Sequence, residues 1–197
     1  MDRVNDQTDA ARKTEHNAAN DSFDLQPILR GATLTLRPLH TNDSERLYVA
    51  VSDPLIREQN PEPTRYKSEV FAKFFASGIT SGGALLVIDN ATEDVIGASR
   101  YYDWNPGQQE VSIGYTFLVR SHWGGAANRE MKTLMLDHAF KWAKQVWFHV
   151  GNNNMRSRMA MAKIGGVYSH NEPANLNGVI YDYAFYKIVN PETSGLS

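Results

Sequence analysis

The chain is divided by a change of hydrophobic period. Over residues 33–37 polar and apolar side chains alternate (Thr-Leu-Thr-Leu-Arg), the period of a half-buried strand, and Pro38 closes it. Asn42 or Asp43 can cap a helix over 43–52. Residues 53–65 hold three prolines and predict a loop. In 67–78, Val70, Phe71, Phe74 and Phe75 share one helical face. Gly82-Gly83 breaks the chain, and segments 84–89, 95–102 and 109–118 predict three strands joined by short turns, an antiparallel meander. Beyond residue 120 the period lengthens. Met131, Leu134, Met135, His138, Ala139 and Trp142 recur on one face of a helix that opens at Gly124-Gly125 and runs to about residue 144. A strand at 146–150 follows, then a helix over 152–163 with Gly165-Gly166 as its C-terminal signal. Strands at 167–170 and 179–188, with a loop between them, complete the pattern.

The order is therefore β α α β β β α β α β β. The strand–helix–strand unit at 109–150 is long enough for a right-handed parallel crossover, while the short connections elsewhere imply antiparallel neighbours. This predicts an α+β single domain: a mixed, mostly antiparallel sheet with a central parallel unit and helices on both faces. Residues 1–22 are polar and lack aromatic side chains, so they predict a disordered tail. The folded domain is expected over 23–190 and a loose C-terminal tail over 191–197. With 197 residues, 42% of them hydrophobic, the chain supports one substantial core.

Charge narrows the function classes. The chain has 20 basic and 22 acidic residues. The tail holds three of the former and five of the latter, which leaves 17 against 17 in the domain. A neutral body lacks the concentrated basic field that nucleic acid or an anionic membrane requires, so neither is expected as a partner. There are no cysteines, which excludes disulfides, thiolate zinc sites and a cysteine nucleophile. The six histidines show no ligand spacing, so no metal is expected. No apolar leader and no run of ~20 apolar residues is present, and the protein is read as cytoplasmic.

The chemistry-bearing segment is 121–128, Ser-His-Trp-Gly-Gly-Ala-Ala-Asn. A strand that ends in a Gly-rich turn and feeds a helix offers unpaired N–H groups and the positive end of the helix dipole to an anion. Gly124, Gly125, Ala126 and Ala127 are small enough for a phosphate to approach the backbone. The segment matches neither a Walker A loop nor G-x-G-x-x-G. Arg120, Arg129, Lys132, Arg156 and Arg158 cluster around it in sequence, either to serve the remaining phosphate charge or as solvated surface charge.

At these residues the chain resembles a known family. Glu110-Val-Ser-Ile-Gly-Tyr-Thr-Phe, Trp123-Gly-Gly-Ala-Ala-Asn-Arg-Glu, Asn154-x-x-Ser157-Arg158 and Lys163-Ile-Gly-Gly are similar to the GNAT superfamily of N-acetyltransferases, and most to its ribosomal-protein (RimJ/RimL-like) branch. The resemblance spans about residues 25–188. The family's acyl-CoA signature, Gln/Arg-x-x-Gly-x-Gly/Ala, falls on Ser121-x-x-Gly124-x-Ala126, with Ser121 departing from it. The resemblance implies acetyl-CoA as co-substrate and an amine as acceptor. It implies that Trp123, Gly124, Gly125, Ala126, Ala127, Asn128 and Arg158 bind the donor, and that Phe117, Leu118 and Val119 pair their backbone with the pantetheine arm where the sheet splays. Asn154 would hydrogen-bond that arm, and Ser157 would serve the leaving sulfur. Glu110 would act as base, often through water in such enzymes. The tyrosine that many relatives carry one turn beyond the serine is Met161 here.

The residues keep other readings open. Glu110 is equally a surface carboxylate beside a turn, and the asparagines 152–154 equally a helix cap. His138 is read as a packed core histidine. The acceptor pocket is expected from residues 53–66 and 173–178, where Glu58, Glu62 and Asp103 would favour a cationic amine. A homodimer is compatible with this reading. The rivals are a non-catalytic acyl-CoA-binding module on the same fold and a generic nucleotide-binding domain.

Overall fold

Eight strands form one sheet: β1 (Leu29–Arg30), β2 (Leu34–Pro38), β3 (Ala84–Asp89), β4 (Val95–Asn105), β5 (Glu110–Leu118), β6 (Gln145–Gly151), β7 (Val167–Leu176) and β8 (Val179–Val189), as seen in a computed structural model that describes residues 22–56, 58–59, 62–176 and 179–193. Their spatial order is β1-β2-β3-β4-β5-β6-β8-β7. The helices are α1 (Ser44–Val51), α2 (Ser68–Thr80), α3 (Ala126–Ala139) and α4 (Met155–Lys163). All neighbouring strands are antiparallel except β5 and β6, the pair bridged by α3. The expected fold class is the one observed.

The sheet is packed on both faces. Val111, Ile113, Val146 and Phe148 meet Met131, Met135 and Ala139 of α3 in one cluster. Leu86, Ala98 and Phe117 meet Leu47 and Val51 of α1 and Phe71 of α2 in the other. His138 is the core histidine its helical position predicted. It is buried against Phe23 and Trp142, with Nε2 2.7 Å from the Asp24 carbonyl oxygen. Among the described residues, no helix is long and apolar enough to cross a membrane.

Several boundaries differ from expectation. The loop expected after residue 170 is instead strand, because β7 and β8 form one long hairpin paired from Val167↔Lys187 to Leu176↔Val179. β7 is an edge strand, and an edge tolerates the exposed polar run and the proline that read as loop. The two-residue β1 was too short for a periodic signal. α3 ends at Ala139 rather than near 144, passing into turns. Asn190, the last residue of the expected domain, is buried and donates through Nδ2 to the Phe140 carbonyl at 2.9 Å. The expected N-terminal tail lies outside the described residues except for Ser22, and the expected C-terminal tail does so from 194 onward.

What positions the site is an interruption in the pairing. β5 and β6 are joined only at Glu110↔Gln145, Val111↔Val146 and Ser112↔Trp147. β5 then continues to Leu118 held by β4, and β6 continues to Gly151 held by β8. Between them the sheet opens into a wedge.

Candidate functional site

One side of the wedge is β5, and its backbone is deformed there. Between Ala98↔Phe117 and Arg100↔Gly114 two residues, Tyr115 and Thr116, stand opposite Ser99 alone. This is a β-bulge, and Tyr115 takes φ 54°. Bulges bend a strand and re-aim its backbone groups. Past the bulge, the Val119 N–H donates to the Ile96 carbonyl at 2.8 Å. Alternate residues of a strand turn their backbone groups to opposite edges, so the Leu118 N–H faces the wedge. Phe117, Leu118 and Val119 thus provide a strand edge in the place where the resemblance puts the donor's amide arm.

At the wide end of the wedge lies the segment 121–128. Gly124 has φ 70°, and Gly125 is the N-cap of α3 with no side-chain hydrogen bond closing the helix. A Cβ placed on either glycine would meet nothing within 4 Å. The N–H groups of Ala126, Ala127 and Asn128 therefore start the helix without a side-chain cap and beside open space, which suits an incoming phosphate. The turn itself is pinned. The Trp123 indole donates to the Leu118 carbonyl at 2.8 Å. His122 Nε2 lies 3.0 Å from Asp89, whose pKa is held low first by that contact. Arg120 pairs with Asp53, whose pKa it likewise lowers.

The opposite lip is the start of α4. Asn154 is the cap after all: its side chain accepts from the Ser157 N–H at 3.0 Å. The asparagine expected on the ligand therefore serves the helix end, and it is buried. Ser157 is half-buried in the first turn. The Arg156 guanidinium lies 4.0 Å from the Trp123 ring centroid and donates to the Ile56 carbonyl at 2.9 Å, tying α4 across the wedge to the cradle. Burial lowers its pKa. Arg158, expected on the donor, is directed to protein partners: Tyr186 Oη at 3.0 Å and Asn152 Oδ1 at 3.2 Å.

Glu110 is not brought to the cradle. It sits at the closed end of the wedge, where Gln145 Nε2 and Trp147 Nε1 donate to its two oxygens at 2.8 and 3.0 Å. Eight residue steps of ~3.3 Å separate it from Leu118, about 26 Å along the strand. There it pins the paired end of β5 and β6 through these two bonds.

Inside the wedge stands Lys132, which the sequence left open between a phosphate-serving cation and a solvated surface charge. It projects from α3, is 3% exposed, and donates to Thr116 Oγ1 at 2.8 Å. Its Nζ is 5.3 Å from the Phe148 ring centroid on β6. Burial lowers its pKa to about 7. Its one available signal was spacing: one residue after Met131 and three before Met135, Lys132 borders the apolar stripe. Among the described residues, no group of three or more His, Asp or Glu side chains could hold a metal ion.

The model of the acetyltransferase (GNAT) domain matches residues 33–167. Comparison with the curated proteins finds no match. Solved structures share the fold. A GCN5-related N-acetyltransferase from Brucella melitensis superposes with TM-score 0.75 at 19% identity, over 85% of this chain and 80% of its own. A protein provisionally assigned as a ribosomal-protein-serine acetyltransferase from Vibrio cholerae gives 0.70 at 11% identity, over 83% and 97%. The microcin C7 self-immunity acetyltransferase MccE, solved with acetyl-CoA and AMP, gives 0.68 at 15% identity, over 85% and 99%. At these identities the likeness speaks for the fold alone.

Proposed function

We propose that this chain, which belongs to the GNAT acetyltransferase family, transfers acetyl from acetyl-CoA directly to a primary amine. The observation that carries the reading is the wedge between β5 and β6, which opens at its wide end onto an uncapped helix N-terminus. A CoA thioester has two parts of matching chemistry: a pyrophosphate, and an arm of amides that can pair with a strand edge. In this reading the N–H groups of Ala126, Ala127 and Asn128 hold the pyrophosphate, Phe117, Leu118 and Val119 pair with the arm, and Trp123 walls it.

The amine lone pair attacks the thioester carbonyl carbon, negative charge grows on the carbonyl oxygen, the C–S bond then breaks, and the proton lost by the nitrogen ends on the departing thiolate, leaving an amide and CoA thiol. Preorganised positive charge beside that oxygen lowers the barrier. Lys132, hydrogen-bonded to Thr116 at the bulge, is the group we assign to this task. Ser157 is assigned to the leaving thiolate. The Asn154-x-x-Ser157 pair supports placement in the RimJ/RimL-like branch, in which the acceptor would be a protein N-terminus; a small-molecule amine is the other acceptor class.

The test is a thermal-shift panel of acetyl-CoA, CoA, ATP and NAD, followed by an amine screen that detects free CoA thiol. Acetyl-CoA at about 100 times Kd should stabilise by ~2.7 kcal/mol, a shift of several degrees, and the nucleotides should not. No shift with any CoA ester would sink the reading. A shift without turnover of any amine would mark a non-catalytic acyl-CoA-binding module.

A further inference from the structure

On the sheet face away from α3, two arginines converge without a salt-bridge partner among the described residues. Arg100, on β4, is 4% exposed. Its guanidinium lies 4.2 Å from the Tyr115 ring centroid and 6.0 Å from that of Phe74, and one terminal nitrogen reaches Ser77 Oγ at 3.3 Å. Arg65, just before α2, stacks on the same Phe74 ring at 4.3 Å. The Nε atoms of both are buried and lack a hydrogen-bond partner among the described residues. Neither guanidinium forms a salt bridge among those residues.

Compensated charge looks different in this protein. Arg37 meets Asp43 through two bonds of 2.7 and 2.6 Å. A buried donor left unmade, and a buried charge left unpaired, each carry a desolvation penalty that a matching anion removes. Burial has lowered the pKa of Arg65 to about 10, and it lowers that of Arg100 as well. The guanidinium is the side chain best shaped for a carboxylate or phosphate.

The pair also sits beside the reaction wedge. Tyr115, under Arg100, is the bulge residue of β5. Tyr102 packs edge-on to Tyr115 at 5.3 Å, and its hydroxyl lies 3.1 Å from His149 Nδ1 across the wedge. His149 in turn packs at 4.1 Å on Phe185 of β8. An aromatic wall thus runs from β4 over β6 to β8. The carboxylates expected to select a cation leave the arginines without an ion pair: Glu58 and Asp103 are exposed, and Glu62, whose field partly offsets the burial of Arg65, accepts from Thr64 at 2.6 Å and forms no salt bridge among the described residues.

We propose that Arg65 and Arg100 form the anion subsite of the acceptor pocket, and that the amine acylated here carries a carboxylate or phosphate on an apolar or aromatic body. This rests on the acetyltransferase reading and names its acceptor class.

The test compares paired amines that differ only in the anion: phenylalanine against 2-phenylethylamine, and O-phosphoethanolamine against ethanolamine. Free CoA thiol is the readout, with acetyl-CoA and succinyl-CoA as alternative donors. The anionic member of at least one pair should be favoured by about tenfold or more in kcat/KM, chiefly through KM, and the pair that responds tells carboxylate from phosphate. Arg65→Gln and Arg100→Gln should each bring that ratio near unity while the acetyl-CoA-induced melting shift persists. Arg65→Lys should restore part of it. If Arg100→Gln does not fold, the less buried Arg65 decides.

Equal use of both members of each pair, or a preference that survives both variants, would overturn the proposal. So would a preference for succinyl-CoA that ignores acceptor charge, which would assign the arginines to the donor. If acetyl-CoA binds but no amine turns over, melting shifts of the CoA complex decide: neither phenylalanine nor O-phosphoethanolamine exceeding its partner that lacks the anion refutes the subsite. Loss of the acetyl-CoA shift itself strikes the acetyltransferase reading instead.

Discussion

Lys132 Nζ lies 2.8 Å from Thr116 Oγ1, and the same oxygen lies 2.8 Å from Ser99 Oγ. This chain of polar groups joins α3 to the bulge of β5 and to β4 at the point where β5 has left β6. The lysine is almost wholly removed from water and, among the described residues, has no carboxylate partner. The Thr116 bond and the Phe148 ring repay its desolvation only in part, which is why its proton is held so loosely.

Lys132→Met should therefore move stability and catalysis in opposite directions. The folded chain releases the Lys132 proton at about 7, while an unfolded lysine keeps it to about 10.4. Between those values the unfolded state binds more protons, so stability rises with pH; below about 7 the burial penalty is present in full. The methionine variant should gain on the order of a few kcal/mol at pH 6, and its melting temperature should rise less steeply from pH 7 to 10. Its kcat should fall by about 10- to 100-fold with little change in CoA affinity. Calorimetry across pH and steady-state kinetics check both halves. An unchanged pH slope would refute the buried, uncompensated lysine, and an unchanged kcat its assigned role.

Glu110→Ala should behave as a structural lesion. Two charge-assisted bonds, from Gln145 and Trp147, are lost at the paired end of β5 and β6. The expected cost is about 1–3 kcal/mol, with the shape of the pH–rate profile retained. Thermal melts and a pH series of kcat/KM measure this. Disappearance of a titrating limb would return Glu110 to the role of base.

Gly124 tests the cradle. At φ 70° an alanine is strained by about 1 kcal/mol but meets no neighbouring atom, so Gly124→Ala should fold and bind CoA slightly less well. Gly124→Glu places a carboxylate in the same open space and should weaken CoA binding by roughly 100-fold, on the order of 3 kcal/mol. Wild-type affinity in isothermal titration of the glutamate variant would remove the phosphate from this turn.

Ser157→Ala separates chemistry from capping. The helix uses the Ser157 N–H, which alanine keeps, so stability should change by less than about 0.5 kcal/mol. Turnover should fall several-fold more than CoA affinity if the hydroxyl serves the leaving thiolate. Equal kinetics in both enzymes would leave the serine without a chemical role.

Most of the fold was legible because period and punctuation are local. The alternation at Thr33–Arg37, the helical stripe from Met131 to Trp142 and the glycines at 124–125 each report on a few neighbouring residues, and the parallel crossover followed from segment length alone. The cradle was legible for the same reason: backbone N–H groups at a Gly-rich helix start need no distant partner. The hairpin of β7 and β8 was not legible, because an exposed edge strand carries the composition of a loop.

The individual side chains were decided elsewhere. Glu110 is a pin because Gln145 and Trp147 arrive from another strand, and Asn154 is a cap because α4 begins one residue later. Lys132, Arg65 and Arg100 look in sequence like ordinary surface cations. The sequence by itself determined the family, the sheet with its crossover and the Gly-rich helix start that we propose holds the donor. Only the tertiary structure decided which charges lose their water and which acids fail to reach them. Desolvation and pairing depend on segments far apart in the chain, and so no local pattern records them.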